Sequence, residues 1–573
     1  MRMDHAPGLG ALPRLAQNRL PALLLVLAGM VFVVGPSVTD GRIPGDLGDA
    51  RFNSYVLEHF HRWITHQDQR FWNADFFYPF PLTIAFSDNH LGDGPIYSLF
   101  RALGFDREDG FRLWFGMGFA INFAAAAYSL VRLGYSRLAA ALGAFLFAFG
   151  LPMMAQENHA QLVYRFGVPL AVLALVEFRR RKQLWQLGLA AFWTTWQFYC
   201  SIYIGYFLVL LLVALVLGLA ACREGGARAG IRRLPSEAFQ VWSRRPVWAR
   251  IAFLLSMTVL AGLLALLFAP YVEASLLYGF RRSWSEIALM LPRPASYLLA
   301  TNSRIWPSSG WPFDALPMRH EHAMFIGVAP YLAIATAMIL RLTKRAAPDG
   351  LFVPVAIAIM LLVLLTLNIH GFSLYLLPAL APGSDAVRAV TRIGTVMLFP
   401  IGVLLASSLD GIMTARLPVW ARSGAVALVA SLLVFEACFI VHNTASKHDW
   451  QARMAAIAAE LPPALPEAPI LLIGPVQGEP LYQPELDAML FAQDRGWRTI
   501  NGYSGNLPPE HKVSGLCTDA PRDLAGGLDF LGLTSEQYYA ALASRVVAIH
   551  YPPCDETARP RRAGARGLPS SGS

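Results

Sequence analysis

Charge is scarce in this chain, and lysine scarcer still. Of 573 residues only 15% are Asp, Glu, Lys or Arg, and of the 47 basic residues just four are lysine. A soluble chain would carry about a quarter charged residues, so a hydrophobic content of 55% and a mean hydropathy of +0.43 move this one into the membrane class. The formal net charge of +9 raises nucleic acid as a partner. The basic residues are scattered between apolar runs and build no basic domain, so they read as topology signals and exclude that partner. Because arginine stands in for lysine throughout, a single arginine is weak evidence of phosphate recognition. Cysteine is sparse too: five residues with no CxxC and no metal-ligand spacing exclude a zinc ribbon or a dithiol redox motif. Cys200, Cys222 and Cys438 lie in or beside apolar runs, where a thiol is a small packing group. There is no internal repeat, which argues against an inverted-repeat transporter.

What is present is a series of apolar runs near the roughly 20 residues a bilayer requires. The first, residues 20–34, follows Arg2, Arg14 and Arg19. Gly35-Pro36-Ser37-Val38 is a poor cleavage site, so this run reads as an uncleaved span with residues 1–19 in the cytoplasm. Ten more follow at 111–131, 138–154, 162–178, 184–199, 202–221, 251–275, 323–340, 351–367, 394–409 and 424–441, about eleven spans in all. The positive-inside rule checks the count. Arg132 with Arg137, Arg179 to Lys182, Arg223 through Arg250, Arg341 to Arg345, and Arg416 with Arg422 all fall on alternate loops. The alternation requires 184–221 to fold as two helices joined by a tight turn near Phe198-Tyr199-Cys200-Ser201.

This topology places residues 39–110, 276–322, 369–392 and everything after His442 outside. The expected architecture is a mainly α, polytopic transmembrane bundle over 20–441 with large external loops at 39–110 and 276–322. A small extracytoplasmic α/β domain follows at 442–558. In that domain 469–474, 497–500 and 545–550 read as strands, 485–494 as a helix and 534–544 as a helix opened by Thr534. Residues 559–573, rich in Arg, Gly and Ser, read as a disordered tail. Cys517 and Cys554 both lie in the polar C-terminal region and form a natural disulfide pair if that region is extracytoplasmic, though sequence sets no distance between them.

Chemistry-bearing residues gather in the outer loops. In Gly45-Asp46-Leu47-Gly48-Asp49 the acids are three apart before a run with Phe52, Val56, Phe60 and Trp63 at helical spacing. Asp46 is then an N-cap and Asp49 a first-turn acid, or the pair presents two carboxylates on one helical face, for proton transfer or a divalent cation. The aromatic segment 71–81 suits an interfacial belt or a loop packed onto the bundle. Asp88, His90 and Asp93 share a turn-rich loop, where they are turn residues or, with Asp46 and Asp49, oxygen and imidazole ligands. Glu157 and His159 occupy a short turn between apolar runs. Arg388 and Arg392, at i and i+4, could face one anionic group together.

The order of these motifs resembles the polytopic GT-C superfamily of membrane glycosyltransferases, closest to a bacterial branch of it. The resemblance is carried by Gly45 to Phe52, Tyr78-Pro79, Ser87 to Asp93, Asn158-His159-Ala160-Gln161 with Pro169, Pro382 to Arg392, and Asn501 to Pro509. It implies an inverting transferase that takes a sugar from a polyprenyl-phosphate donor to an envelope glycan, lipid or protein on the periplasmic side of a bacterial inner membrane. On that footing Asp49 or Asp46 is the catalytic base. Asp88, His90, Asp93, Glu157 and His159 are the acceptor-orienting or second acidic set, and Arg388 and Arg392 hold the lipid phosphate. A divalent cation, Mg or Mn, on Asp46, Asp49, Asp88 and Asp93 stays open. A flippase for a lipid-linked glycan and a non-catalytic assembly partner are the rival readings; the first calls for ionisable residues inside the spans, which are nearly free of them.

Overall fold

The computed structural model describes residues 18–347, 349–381, 383, 386–476, 478–509, 511, 520–533 and 535–549. They belong to two compact units: one holds the chain up to His61 together with Asp88–Ala445, the other Arg62–Ser87 together with the chain from Ser446 on.

All eleven apolar segments of the first unit are helical. Among the described residues eight helices are long and apolar enough to cross a membrane: Leu20–Val38, Arg107–Leu133, Arg137–Met154, Ala160–Arg181, Ile202–Ala221, Val247–Tyr278, Val390–Thr414 and Val419–Cys438. Val328–Leu342 and Phe352–Thr366 are shorter apolar helices, and Leu184–Cys200 spans 17 residues. The chain reads as a multi-pass membrane protein. In Val247–Tyr278 only 6% of the most apolar window is buried. A long helix that is apolar and uncovered over most of its surface is stable in lipid and not in water. The tight turn at 184–221 is present: Ser201 is extended (φ −159°, ψ 127°), separating Leu184–Cys200 from Ile202–Ala221.

Close backbone approach and buried caps hold these helices together. A Cβ on Gly143 would lie 2.6 Å from the Gly402 carbonyl oxygen, so only glycine permits this crossing of Arg137–Phe149 with Ile393–Thr414. The ionisable groups among the apolar helices serve the scaffold. Buried Arg165 donates to the carbonyls of Thr395, Phe147 and Ala148. Glu436 accepts from the amides of Val328 and Ala329, capping a helix from outside its own segment.

The second unit contains a parallel three-stranded sheet in the order Arg498–Thr499, Ile470–Ile473, Val546–Ile549. Alternation along the central strand sends Leu471 and Ile473 to Ile457, Ala488 and Phe491, and Ile470 and Leu472 to Leu524, Leu528 and Leu542, so helices cover both faces. The expected strand and helix order is found: the helix Glu536–Ala543 is preceded by Ser535, whose hydroxyl accepts from Tyr538 N, and Thr534 lies outside the described residues. The aromatic segment is also a packed loop and no free interfacial belt. Phe77 N donates to Asn501 O, Tyr78 N to Thr499 O, and Thr499 N to Asp75 O. Domain boundaries shift accordingly, since 62–87 belongs with the C-terminal unit. Cys517, Cys554 and residues 559–573 lie outside the described residues.

Candidate functional site

The helix Asp49–Ile64 starts at Asp49, so Asp46 lies before it and the two acids do not share a helical face. Asp46 closes an Asx turn instead, accepting from Gly48 N at 2.9 Å and from Asn158 Nδ2 at 3.0 Å. Burial pushes its carboxyl up, opposed by the Gly48 amide and reinforced by the charge of Asp49. Gly45 makes the turn possible: its φ is +86°, and a Cβ there would meet Ala50 Cβ at 2.5 Å and Glu157 O at 3.2 Å.

Asp49 heads in another direction. Its Oδ2 lies 3.2 Å from His159 Nε2, and the same nitrogen lies 3.5 Å from Glu321 Oε1. Glu321 is held by a two-pronged bond from Arg392, at 2.8 and 3.2 Å, and the Arg392 guanidinium sits 5.0 Å over the Tyr203 ring. Burial, then the positive charge of Arg392, lower the pKa of His159, which favours a neutral imidazole whose Nε2–H can donate to a carboxylate. Burial alone would raise Glu321, but Arg392 and His159 bring it below the usual carboxylate range. Exposure separates the members of this group. The Asp49 side chain is 33% exposed, against 14% for His159, 8% for Arg392 and 4% for Glu321, so Asp49 is the most exposed member of the group.

The remaining predicted residues hold this group in place. Asp88 is buried and caps Ile202–Ala221 from a distant loop, accepting from Ile202 N at 2.6 Å and Ser201 Oγ at 2.9 Å. That helix carries Tyr203, on which Arg392 stacks. Burial raises the Asp88 carboxyl, and those two donors oppose the rise. His90 bridges Asp93 Oδ1 at 2.9 Å and Asn53 Oδ1 at 2.8 Å, while Asn53 Nδ2 donates to the Asp49 carbonyl at 2.6 Å. The start of the Asp49 helix is thereby tied to a buried His–Asp pair. Glu157 is buried as well and is committed to Ser37 Oγ, His442 Nδ1 and Asn443 N. Its role is to fasten the turn bearing His159, and its carboxylate does not stand open to an acceptor.

Arg388 and Arg392 do not face one anion from a shared helix. Residues 390–392 form a short 3-10 turn; Arg392 is buried on Glu321, whereas the more exposed Arg388 pairs with Glu286, which also holds Arg282. The four acids offered as metal ligands likewise do not gather: Asp88 is a cap and Asp93 is on His90. Among the described residues no cluster of three or more His, Cys, Asp or Glu side chains is arranged to hold a metal ion. Arg392 already supplies the positive charge beside Glu321. The residue that sequence reasoning passed over is Glu321, whose signal was an acid flanked by histidines in Arg319-His320-Glu321-His322, just before an apolar run.

No family model matches the chain, and no curated protein matches it significantly. Among solved structures it matches the oligosaccharyltransferase of Archaeoglobus fulgidus in complex with Zn and sulfate, at 11% identity and a TM-score of 0.48, over 92% of this chain and 66% of that one. The archaeal enzyme AglB, in complex with an inhibitory peptide and a dolichol-phosphate, is 12% identical, with a TM-score of 0.46, over 84% of this chain and 64% of that one. The arabinofuranosyltransferase AftD from Mycobacteria is 16% identical, with a TM-score of 0.48, over 88% of this chain and 34% of that one. This chain spans less than two thirds of the length of each of them.

Proposed function

We propose that the protein is an inverting membrane glycosyltransferase that moves a sugar from a polyprenyl-phosphate donor to an envelope glycan, lipid or protein. The observation that carries the reading is the meeting of a partly exposed Asp49 with a less exposed His159, backed by the Glu321–Arg392 pair. Asp49 takes the proton from the acceptor nucleophile as that atom bonds to the sugar C1 from the face opposite the phosphate. The C1–oxygen bond breaks and its electron pair leaves on the lipid phosphate. His159, donating through Nε2–H, orients the Asp49 carboxylate, and Arg392 keeps Glu321 ionised beside it. The departing phosphate is assigned to Arg388 and Arg282, two guanidiniums on one carboxylate, Glu286, which together retain a positive charge. Arg392 is thereby reassigned from phosphate to scaffold.

The alternation of basic loops supports a site on the non-cytoplasmic side of a bacterial inner membrane, with the N-terminus in the cytoplasm and the C-terminal unit in the periplasm. Within the apolar helices, Arg165 and Glu436 serve backbone carbonyls and amides, unlike the proton or substrate relay of a transporter. The test is transfer to acceptor in membranes bearing the full chain or its Asp49→Asn variant at matched abundance. Loss of transfer in the variant supports the reading, and full transfer refutes it.

A further inference from the structure

A second candidate site shares no lining residue with the Asp49 group. A cavity of about 250 Å³ is lined by Pro36, Arg42, Arg304, Cys438, His442 and Thr444, among others. Pro36 and Cys438 belong to the last turns of the apolar helices Leu20–Val38 and Val419–Cys438. Where two spans end together, hydrocarbon gives way to lipid headgroups, so the cavity stands at headgroup depth.

Its chemistry is cationic. Arg42 and Arg304 are both exposed, and no Asp or Glu is among the lining residues. Two guanidiniums around one hollow repel each other unless an anion stands between them. A third polar group, His442, is held from behind. Glu157 Oε1 lies 2.8 Å from His442 Nδ1 and 2.6 Å from Ser37 Oγ. With Nδ1–H given to that carboxylate, Nε2 is the ring nitrogen left for the cavity. The Thr444 hydroxyl adds a fourth polar group. Two planar forks and a hydroxyl supply the donors a tetrahedral oxyanion takes, with the imidazole Nε2 as an acceptor for a protonated phosphate oxygen. The volume is below the roughly 300–1,000 Å³ of a pocket for a drug-sized ligand and suits a headgroup-sized one.

We propose that this cavity binds a phosphate group at the membrane surface, carried by an anionic phospholipid or present as a free phosphate. No lining residue belongs to the Asp49 group, but His442 shares Glu157 with the turn bearing His159, so the test varies Arg42 and Arg304 alone.

The test uses the full chain in nanodiscs of phosphatidylcholine with or without phosphatidylglycerol, with retained lipid counted by native mass spectrometry. In parallel, inorganic phosphate is titrated against the thermal midpoint in detergent. Each charge-assisted bond lost weakens binding about tenfold. Phosphatidylglycerol retained by the wild type should therefore fall by about that factor in Arg304→Gln, and further in Arg42→Gln/Arg304→Gln. Arg304 is exposed, so Arg304→Gln alone carries the test if the double variant does not fold. Lipid retention lost in the variants identifies a headgroup. A phosphate-induced rise in midpoint that vanishes in the variants, without preference for phosphatidylglycerol, identifies free phosphate. Equal lipid retention in wild type and variants, with no response to phosphate, overturns the proposal.

Discussion

Asp49 Oδ2 and His159 Nε2 lie 3.2 Å apart, bringing the first residue of one helix against a turn more than a hundred residues away. The imidazole is the donor and the carboxylate the acceptor, since burial keeps His159 neutral. Replacing His159 with Ala removes that donor while leaving the base in the chain. The expected outcome is a fall in kcat of about a hundredfold with KM little changed. Steady-state kinetics in detergent separates this from a binding defect, which would raise KM instead.

The Glu321–Arg392 pair is nearly out of solvent, and breaking it leaves one charge uncompensated. Glu321→Gln should destabilise the protein by about 3–5 kcal/mol, and Glu321→Gln/Arg392→Met should recover much of that loss. Thermal denaturation of the three proteins in one detergent checks both. Recovery of stability without recovery of activity would separate the scaffold role of the pair from its service to His159.

Much of the fold was legible because apolar runs and loop charge report on the same bilayer. Helix positions, including the break at Ser201, follow from them. The second unit was legible strand by strand, because Ile470 to Ile473 is an apolar run too short to be a helix in that setting. The site was legible only in part. Asp49 and His159 were named, but the partner that joins them, Glu321, lies in a long loop whose contacts no spacing encodes. Asp88, Asp93 and Glu157 carry the residue types of a catalytic set and act as caps and clamps; burial decides that, and burial is not written in the local sequence. A packed loop was one of the two readings of the aromatic segment, but its partner was not legible: Phe77 N bonds Asn501 O, a strand end supplied from over four hundred residues away.

Asp93 gives a pH signature. Burial pushes its carboxyl up to about 6 from 3.8, against the pull of His90. The folded state therefore binds the proton more tightly than the unfolded chain. Its stabilising contribution is full below the unfolded value and is lost as pH rises through about 6. Asp93→Asn removes the titration, so the midpoint of the variant relative to wild type should climb between pH 4 and pH 7, by the equivalent of up to about 3 kcal/mol. A difference that stays flat across that range would contradict it.

Gly45 offers a local test of the turn. Gly45→Ala meets both a positive φ and contact with Ala50 and Glu157. The expected cost is about 1–3 kcal/mol, with transfer reduced because Asp46 and Asp49 are displaced together. Melting curves and transfer rates for the variant should fall in parallel.

The central claim is that Asp49, and not Asp46, takes the acceptor's proton. In a deletion strain carrying the full chain, Asp49→Asn and Asp46→Asn are compared at matched membrane abundance, with transfer from lipid-linked sugar followed by mass spectrometry. The account predicts that Asp49→Asn abolishes transfer while Asp46→Asn, which loses a turn contact, retains a measurable rate. Full transfer by folded Asp49→Asn, or loss of transfer confined to Asp46→Asn, would contradict it.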